Sequence, residues 1–510
     1  MKGSFRSRVA TAAAMLVGFY VLAGLVAFGL LGLAVAMWVT DLPQNVWLTA
    51  ACVISGLAIL GGLIPSRNRF EEPGPRLGED EQPELHQLVR EVAAATDQEP
   101  PADVYLAADV NAAVTDTGGL LGSGGRRVMI VGLPLLDVLT VGQLRAVLAH
   151  EFGHYYGGDT RLGPWFFRTY DAIARTVTNL EAAESMWQKP FELYGEFFLR
   201  RSSAIKRQQE FMADELAAKA AGKQAAVECL QRISAAAPAY DHYWESEVVH
   251  VLDAGSRAPL LEGFRGFRSV ERIREAMDES VKAELESTET DPYSTHPSLP
   301  ERLAALDKLP DDERGATSGD ERPALSLLRD PERAERDLLR ALFGDETADA
   351  ELLRWDDVPE RVIVPGWREV MDRNRPALAG ITAAGIPDVA LSGLAEFGRG
   401  LPLPPGIPPE AAGQLPGEVY AEIGGAALDV ALGVALHDAG WAFEAPVGEP
   451  VVLRKDGQAL EPFGTAEALA SGELTRDRWR ARCVEAAIAD LPLGGSAGAD
   501  QEAMPAAAGG

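Results

Sequence analysis

From Val9 to Thr40 the chain carries no charged side chain, and a bilayer-spanning helix needs only about 20 such residues. As a straight helix the run would measure roughly 48 Å, so it must tilt or reach into the headgroups. A short polar connection, Asp41 to Asn45, leads into a second apolar run, Val46 to Pro65. Two antiparallel spans follow. Lys2, Arg6 and Arg8 precede the first and Arg67 and Arg69 follow the second, while the turn carries only Asp41. The positive-inside bias therefore puts both ends, and the body behind them, in the cytoplasm of a cell with this hairpin in its membrane. A cleaved signal peptide is the competing reading, since Ala34-Val35-Ala36 looks like a cleavage site. Its apolar core would be about 7–15 residues, half of what is present.

The remainder has no comparable uncharged run and reads as a soluble body. The whole chain has 510 residues with 47 Lys+Arg against 76 Asp+Glu, a formal charge of −29. That balance argues against nucleic acid as a partner, because such binding starts with Lys and Arg neutralising phosphates. Cys52, Cys229 and Cys483 lie far apart and form no C-x-x-C pair, so neither a disulfide framework nor a thiolate metal site is expected. The length suggests roughly three domains.

Composition shifts divide the chain into a hairpin (1–70), a body (71–309), a linker rich in Asp, Glu, Pro and Gly (310–323), a C-terminal region (324–492) and an Ala/Gly tail (493–510) expected to be disordered. In the body an amphipathic helix fits Leu85–Thr96, and short strands fit Val104–Leu106, Ala112–Thr115 and Val128–Val131, separated by glycine turns. Helices follow over Val141–Tyr156 and about Pro190–Ala221, the latter expected to be broken, with Gly222 as its stop. Between them Leu162–Met186 is aromatic but carries Arg168, Asp171, Arg175, Glu181 and Glu184. Charges at that density make a poor span, and a place against the membrane surface suits them better. In the C-terminal region a hairpin is expected over Val451–Leu460, turning on Asp456-Gly457. Nothing there suggests chemistry.

The sharpest local signal is His150-Glu151-Phe152-Gly153-His154, on a helix whose start is marked by Thr140 and Gln143 in capping-box spacing. Histidines at i and i+4 share a helical face and can converge on one ion, with Glu151 placed to take a proton from an attacking water. Catalytic zinc wants a third protein ligand and an open position. A metzincin would place a histidine at position 160, which is Thr, so that class is excluded. Glu210-Phe211-Met212-Ala213-Asp214 offers two carboxylates on one helical face. From spacing alone they read equally well as a solvated acidic surface.

These two motifs, followed by Ser294-Thr295-His296-Pro297 and Glu301-Arg302-Leu303, stand in the order that resembles the HtpX-like and CAAX-prenyl-endopeptidase family of membrane-associated zinc metallopeptidases. The resemblance covers about Glu84 to Leu306 and the N-terminal hairpin plan. It implies His150, His154 and Glu210 as zinc ligands and Glu151 as general base. Asp214 would accept a hydrogen bond from a ligating imidazole, with Arg302 as its partner. Asn111 would hold substrate backbone, and His296 would stabilise the oxyanion. Arg127–Val131 resembles the family's edge strand, so Val128 and Ile130 would bind an extended peptide by β-addition. Where family members often carry further spans, this chain has the charged segment Leu162–Met186.

The expectation is an α+β protein: a two-helix transmembrane hairpin, a mainly helical zincin-type domain with a small β-sheet, and a separate C-terminal α+β region. Its expected function is a membrane-anchored, zinc-dependent (gluzincin-type) endopeptidase that takes one Zn2+ per chain, acts on peptide or protein, and sits in the bilayer. The alternative is a membrane-tethered scaffold with a vestigial or structural metal site. A third reading is a protease restrained by its own C-terminal region, which truncation near Pro323 would activate. The remaining histidines, His86, His242, His250 and His437, show no ligand-like spacing.

Overall fold

The computed structural model describes residues 2–40, 45–64, 70–117, 126–154, 163–183, 185, 187–287, 297–310, 320–405, 407–408 and 415–494. The chain is mostly helical with small sheets, and it forms two compact units, neither contiguous in sequence. The first comprises Met1–Asp241 and Glu275–Ala348, the second His242–Arg274 and Asp349–Gly510.

The first unit begins with the two apolar helices, α1 (Lys2–Val39) and α2 (Val46–Leu63). The stretches Val17–Val39 and Val46–Leu63 are long and apolar enough to cross a membrane. They do not stand alone. Helix α6 (Gly163–Ala182) and the first half of α7 (Gln188–Ala221) pack on them, with Phe19, Ala27, Ile59, Ile173, Phe191 and Phe198 among the buried residues of the joint core. A Cβ at Gly62 would lie 2.3 Å from Thr176 Oγ1 and 2.7 Å from its Cα, so only glycine lets α2 and α6 come this close. Polar side chains of α6 and of the residues just after it bond to α2, although Glu181 stays exposed. Asn179 Nδ2 donates to Ala58 O (3.2 Å), Arg175 Nε donates to Gly62 O (3.3 Å), and the hydroxyls of Ser55 and Ser185 are 2.8 Å apart. Leu25, Phe28, Ile54, Leu57, Leu193 and Phe197 are exposed on these helices, large apolar side chains of the kind found at a membrane or protein contact.

The rest of the first unit surrounds one helix. Before it come α3 (Pro83–Ala95), strands β1 (Asp103–Ala107), β2 (Ala112–Asp116) and β3 (Arg127–Gly132), and the short α4 (Leu133–Val138). Helix α5 (Val141–Gly153) starts where expected: Gln143 N donates to Thr140 Oγ1 and Thr140 N to Gln143 Oε1. Leu144, Leu148 and Phe152 are fully buried, and α3, β2 and the second half of α7 pack around α5. Helix α7 is unbroken for 34 residues and ends at Gly222, whose φ of 96° a side chain would resist. Helix α8 (Lys223–Tyr243) follows it.

The sheet order is β1-β3-β2, with β3 parallel to β1 and antiparallel to β2. This corrects the reading of Arg127–Val131 as an edge. Both sides of β3 are hydrogen-bonded, Val128 is fully buried, and no peptide can add beside Val128 or Ile130. The strand at the edge next to α5 is β2.

In the second unit the helix Gly417–Asp438 is also apolar and long enough to span, but 72% of it is buried. Helices Val364–Leu378, Ile386–Arg399 and Thr465–Ser471 pack on it, making it the core helix of this unit. The hairpin forms as read: Val452–Lys455 pairs with Gln458–Leu460 across Asp456 and Gly457, both at positive φ.

Candidate metal centre

Three turns along α5 from its cap, His150 and Glu151 leave the helix, and His154 is its C-terminal cap residue. Helix α7 crosses beside this end. A Cβ on Gly153 would meet Ala213 Cα at 2.7 Å, so the two helices approach to backbone contact. That proximity delivers Glu210 to the histidines. His150 Nε2 lies 3.5 Å from Glu210 Oε2 and His154 Nε2 lies 3.7 Å from Glu210 Oε1. One ligand atom from each of the three residues falls within 4.8 Å of the others.

The far side of the His150 ring is also fixed. Its Nδ1 lies 3.0 Å from Asp214 Oδ1, which places the proton on Nδ1 and turns the Nε2 lone pair to the centre. Asp214 is held in turn by Arg302, on the helix Leu299–Asp307, through Nε to Oδ2 at 2.9 Å and Nη2 to Oδ1 at 2.6 Å. Both carboxylates are buried, Glu210 at 4% and Asp214 at 3% exposure. Arg302, Asp214, His150 and Glu210 thus stand in one series of contacts.

Titration follows from these contacts. Burial alone would lower the His150 pKa, but Asp214 and Glu210 outweigh it and raise the group to about 9. Burial would raise Asp214, yet Arg302 and His150 hold it below the usual carboxylate range. Glu151 goes the other way. Burial, with the charge of Glu210, raises it against the opposing pull of His150, the Val114 amide and Arg302. A carboxylate whose pKa is raised holds a proton more readily, which suits it to accept and return one.

The Val114 contact places β2 beside Glu151, a relation no motif announced. At the start of β2, Asn111 Oδ1 accepts the neighbouring Ala112 amide at 2.9 Å and Asn111 O accepts Gly132 N–H at 2.8 Å. Asn111 is exposed there, while Val128 and Ile130 lie one strand further in. His296 lies outside the described residues.

The donor set fits zinc. Four ligands at about 2.0–2.1 Å from a tetrahedral ion stand roughly 3.4 Å apart, close to the 3.5 and 3.7 Å found between the carboxylate and the imidazoles. Two histidines from one helix and a glutamate from another, with a further glutamate beside them, make a metallopeptidase site. Residues 79–310, the segment that holds His150, His154 and Glu210, match the model described as peptidase family M48, which supports a metallopeptidase. No curated protein and no solved structure matches the chain.

Proposed function

We propose that this protein is a membrane-anchored zinc endopeptidase. One observation carries the reading: His150, His154 and Glu210, contributed by α5 with its C-terminal cap and by α7, converge within 4.8 Å beside Glu151. His150 Nε2, His154 Nε2 and a Glu210 carboxylate oxygen would hold the ion. Zinc bound there supplies Lewis acidity that polarises a peptide carbonyl and acidifies water.

The chain's own groups do the rest. Glu151 takes the proton of the attacking water on its carboxylate and returns it to the leaving amine nitrogen. Its raised pKa matches that two-way transfer. Asp214, anchored by Arg302, accepts from Nδ1 of His150, so that Nε2 is the nitrogen turned to the ion, which displaces any proton held there. An extended substrate lies along β2, the sheet edge nearest Glu151, with Asn111 at its end; His296 is assigned to the oxyanion. The site faces the cytoplasm, by the charges flanking α1 and α2.

Glu151→Gln keeps the shape and removes the proton acceptor. Zinc content should stay at one per chain while hydrolysis of a casein substrate is lost. A variant that cleaves at the wild-type rate rules the mechanism out.

A further inference from the structure

The family match stops at residue 310, yet the first unit runs to Ala348. What the extra segment does is visible in the main-chain bonds of α5. A helix opens with four amides that have no intrahelical acceptor. In α5 the Thr140 amide goes to Gln143 Oε1 (3.1 Å) and the Gln143 amide to Thr140 Oγ1 (3.3 Å). The two between them are taken by another stretch of chain: Val141 N–H donates to Arg322 O at 2.8 Å and Gly142 N–H to Asp320 O at 3.0 Å. Ala324 N–H returns a bond to Leu139 O (2.8 Å), and Thr140 and Pro323 form an antiparallel bridge.

With the strap in place Val141 is 3% exposed and Gly142 is buried, so carbonyls of the strap rather than water take these two amides. The segment is itself seated. Leu325, Leu327 and Leu328 are buried, the Arg322 guanidinium pairs with Asp320, and Arg329 N–H donates to Gln82 Oε1 at 2.8 Å.

We infer that Asp320–Leu328 is a strap that positions the metal-binding helix: it completes the cap of α5, and the placement of His150 and His154 depends on it. The inference deepens the peptidase reading and rests on it for its metal arm. It also reverses the sense of a cut near Pro323. Such a cut would strip acceptors from α5 and weaken the site rather than release it.

The test uses the full chain in detergent. Leu325→Ser/Leu327→Ser unseats the strap. Val141→Pro deletes the amide facing Arg322 O while keeping an apolar side chain at this buried position, at a first-turn site where proline fits and after Thr140, whose extended φ and ψ of −81° and 164° suit a residue before proline. Hydrogen exchange of peptides spanning 139–154 and zinc affinity by chelator competition are read together, with circular dichroism as the check on folding. In the double variant α5 should exchange about 10-fold faster and zinc affinity should fall about 10-fold, as the loss of two buried bonds implies; Val141→Pro should move both in the same direction by less. Should the double variant unfold, Val141→Pro decides. Unchanged exchange means the strap is not seated, and faster exchange with wild-type zinc affinity means it positions nothing; either overturns the proposal. If wild-type protein binds no zinc, the peptidase reading fails, while the exchange arm still reports on the strap.

Discussion

Gly153→Ala tests whether helix proximity makes the metal centre. The added Cβ would sit 2.7 Å from Ala213 Cα and 2.9 Å from Ala213 Cβ, where relaxed carbon contacts are about 3.7 Å. The end of α5 must therefore move about 1 Å from α7. Overpacking of this size costs about 1–3 kcal/mol, and alanine returns about 0.5–1 kcal/mol of helix preference, so the protein should fold with a modestly lower Tm. The metal centre is less forgiving. Its ligands come from both sides of the displaced contact, and metal–ligand distances tolerate only about 0.2 Å. Zinc affinity should drop about 100-fold or more, read by chelator competition, with peptide hydrolysis falling in step. Gly366→Ala is the control: in the helix Val364–Leu378 nothing lies within 4 Å of the new Cβ, and affinity should not move. If Gly153→Ala lowers Tm yet binds zinc within threefold of wild type, the claim that the α5–α7 contact sets the site geometry is wrong.

Arg302→Ala should cost about 10- to 100-fold in zinc affinity, as loss of a ligand's supporting partner does, and Arg302→Lys should not restore it because the Asp214 contact is two-pronged; equal affinity for all three would exclude the Arg302–Asp214–His150 linkage. In the second unit Asp429 accepts amides from Gly464 (2.8 Å) and Ala466 (3.0 Å), and burial raises its pKa to about 6. Its folded pKa lies above its unfolded value of about 3.9, so the unfolded chain releases this proton first. The group's contribution therefore declines from pH 4 to 6, by on the order of 2–3 kcal/mol, and is level above that. Guanidinium unfolding of wild type minus Asp429→Asn should show that slope, and a flat difference refutes it. Ser55→Cys/Ser185→Cys should cross-link on mild oxidation in membranes, since the hydroxyls are 2.8 Å apart; absence of the link on a reducing-versus-nonreducing gel would separate the residues just after α6 from α2.

Local chemistry was the legible part. The capping box at Thr140, the stop at Gly222 and the Asp456-Gly457 turn each depend on a few neighbouring side chains, and each forms where the pattern put it. The metal cluster was readable for the same reason on α5, while Glu210 and Asp214 became distinguishable only once α7 was seen crossing at Gly153. Strand neighbours were not legible. Val128 to Val131 reads as a strand from its β-branched residues, but its place in the middle of the sheet is set by a parallel partner 25 residues earlier, Asp103 against Val128. The strap left no trace because its acceptors are main-chain carbonyls, which every residue type carries alike. The packing of α6 on the hairpin was not legible either: a polar side chain argues against burial in an apolar bundle only until it finds a carbonyl, and Arg175 and Asn179 both find one on α2.

That last point changes how anchor and body relate within the first unit. Phe191 and Phe198 lie in the core shared with α1 and α2, and Glu210 and Asp214 lie further along the same α7. At about 1.5 Å per residue, Phe198 and Glu210 are separated by roughly 18 Å of continuous helix. Having no break, α7 transmits a tilt rather than absorbing it, because bending a helix requires a proline, a bulge or a lost bond, and the only proline in α7, Pro190, stands in its first turn. The carboxylate at the metal centre and the aromatic residues of the helical bundle are therefore placed by one rigid element. The hairpin is not a tether joined to an independent catalyst by a linker; it is one end of the scaffold that sets where Glu210 stands.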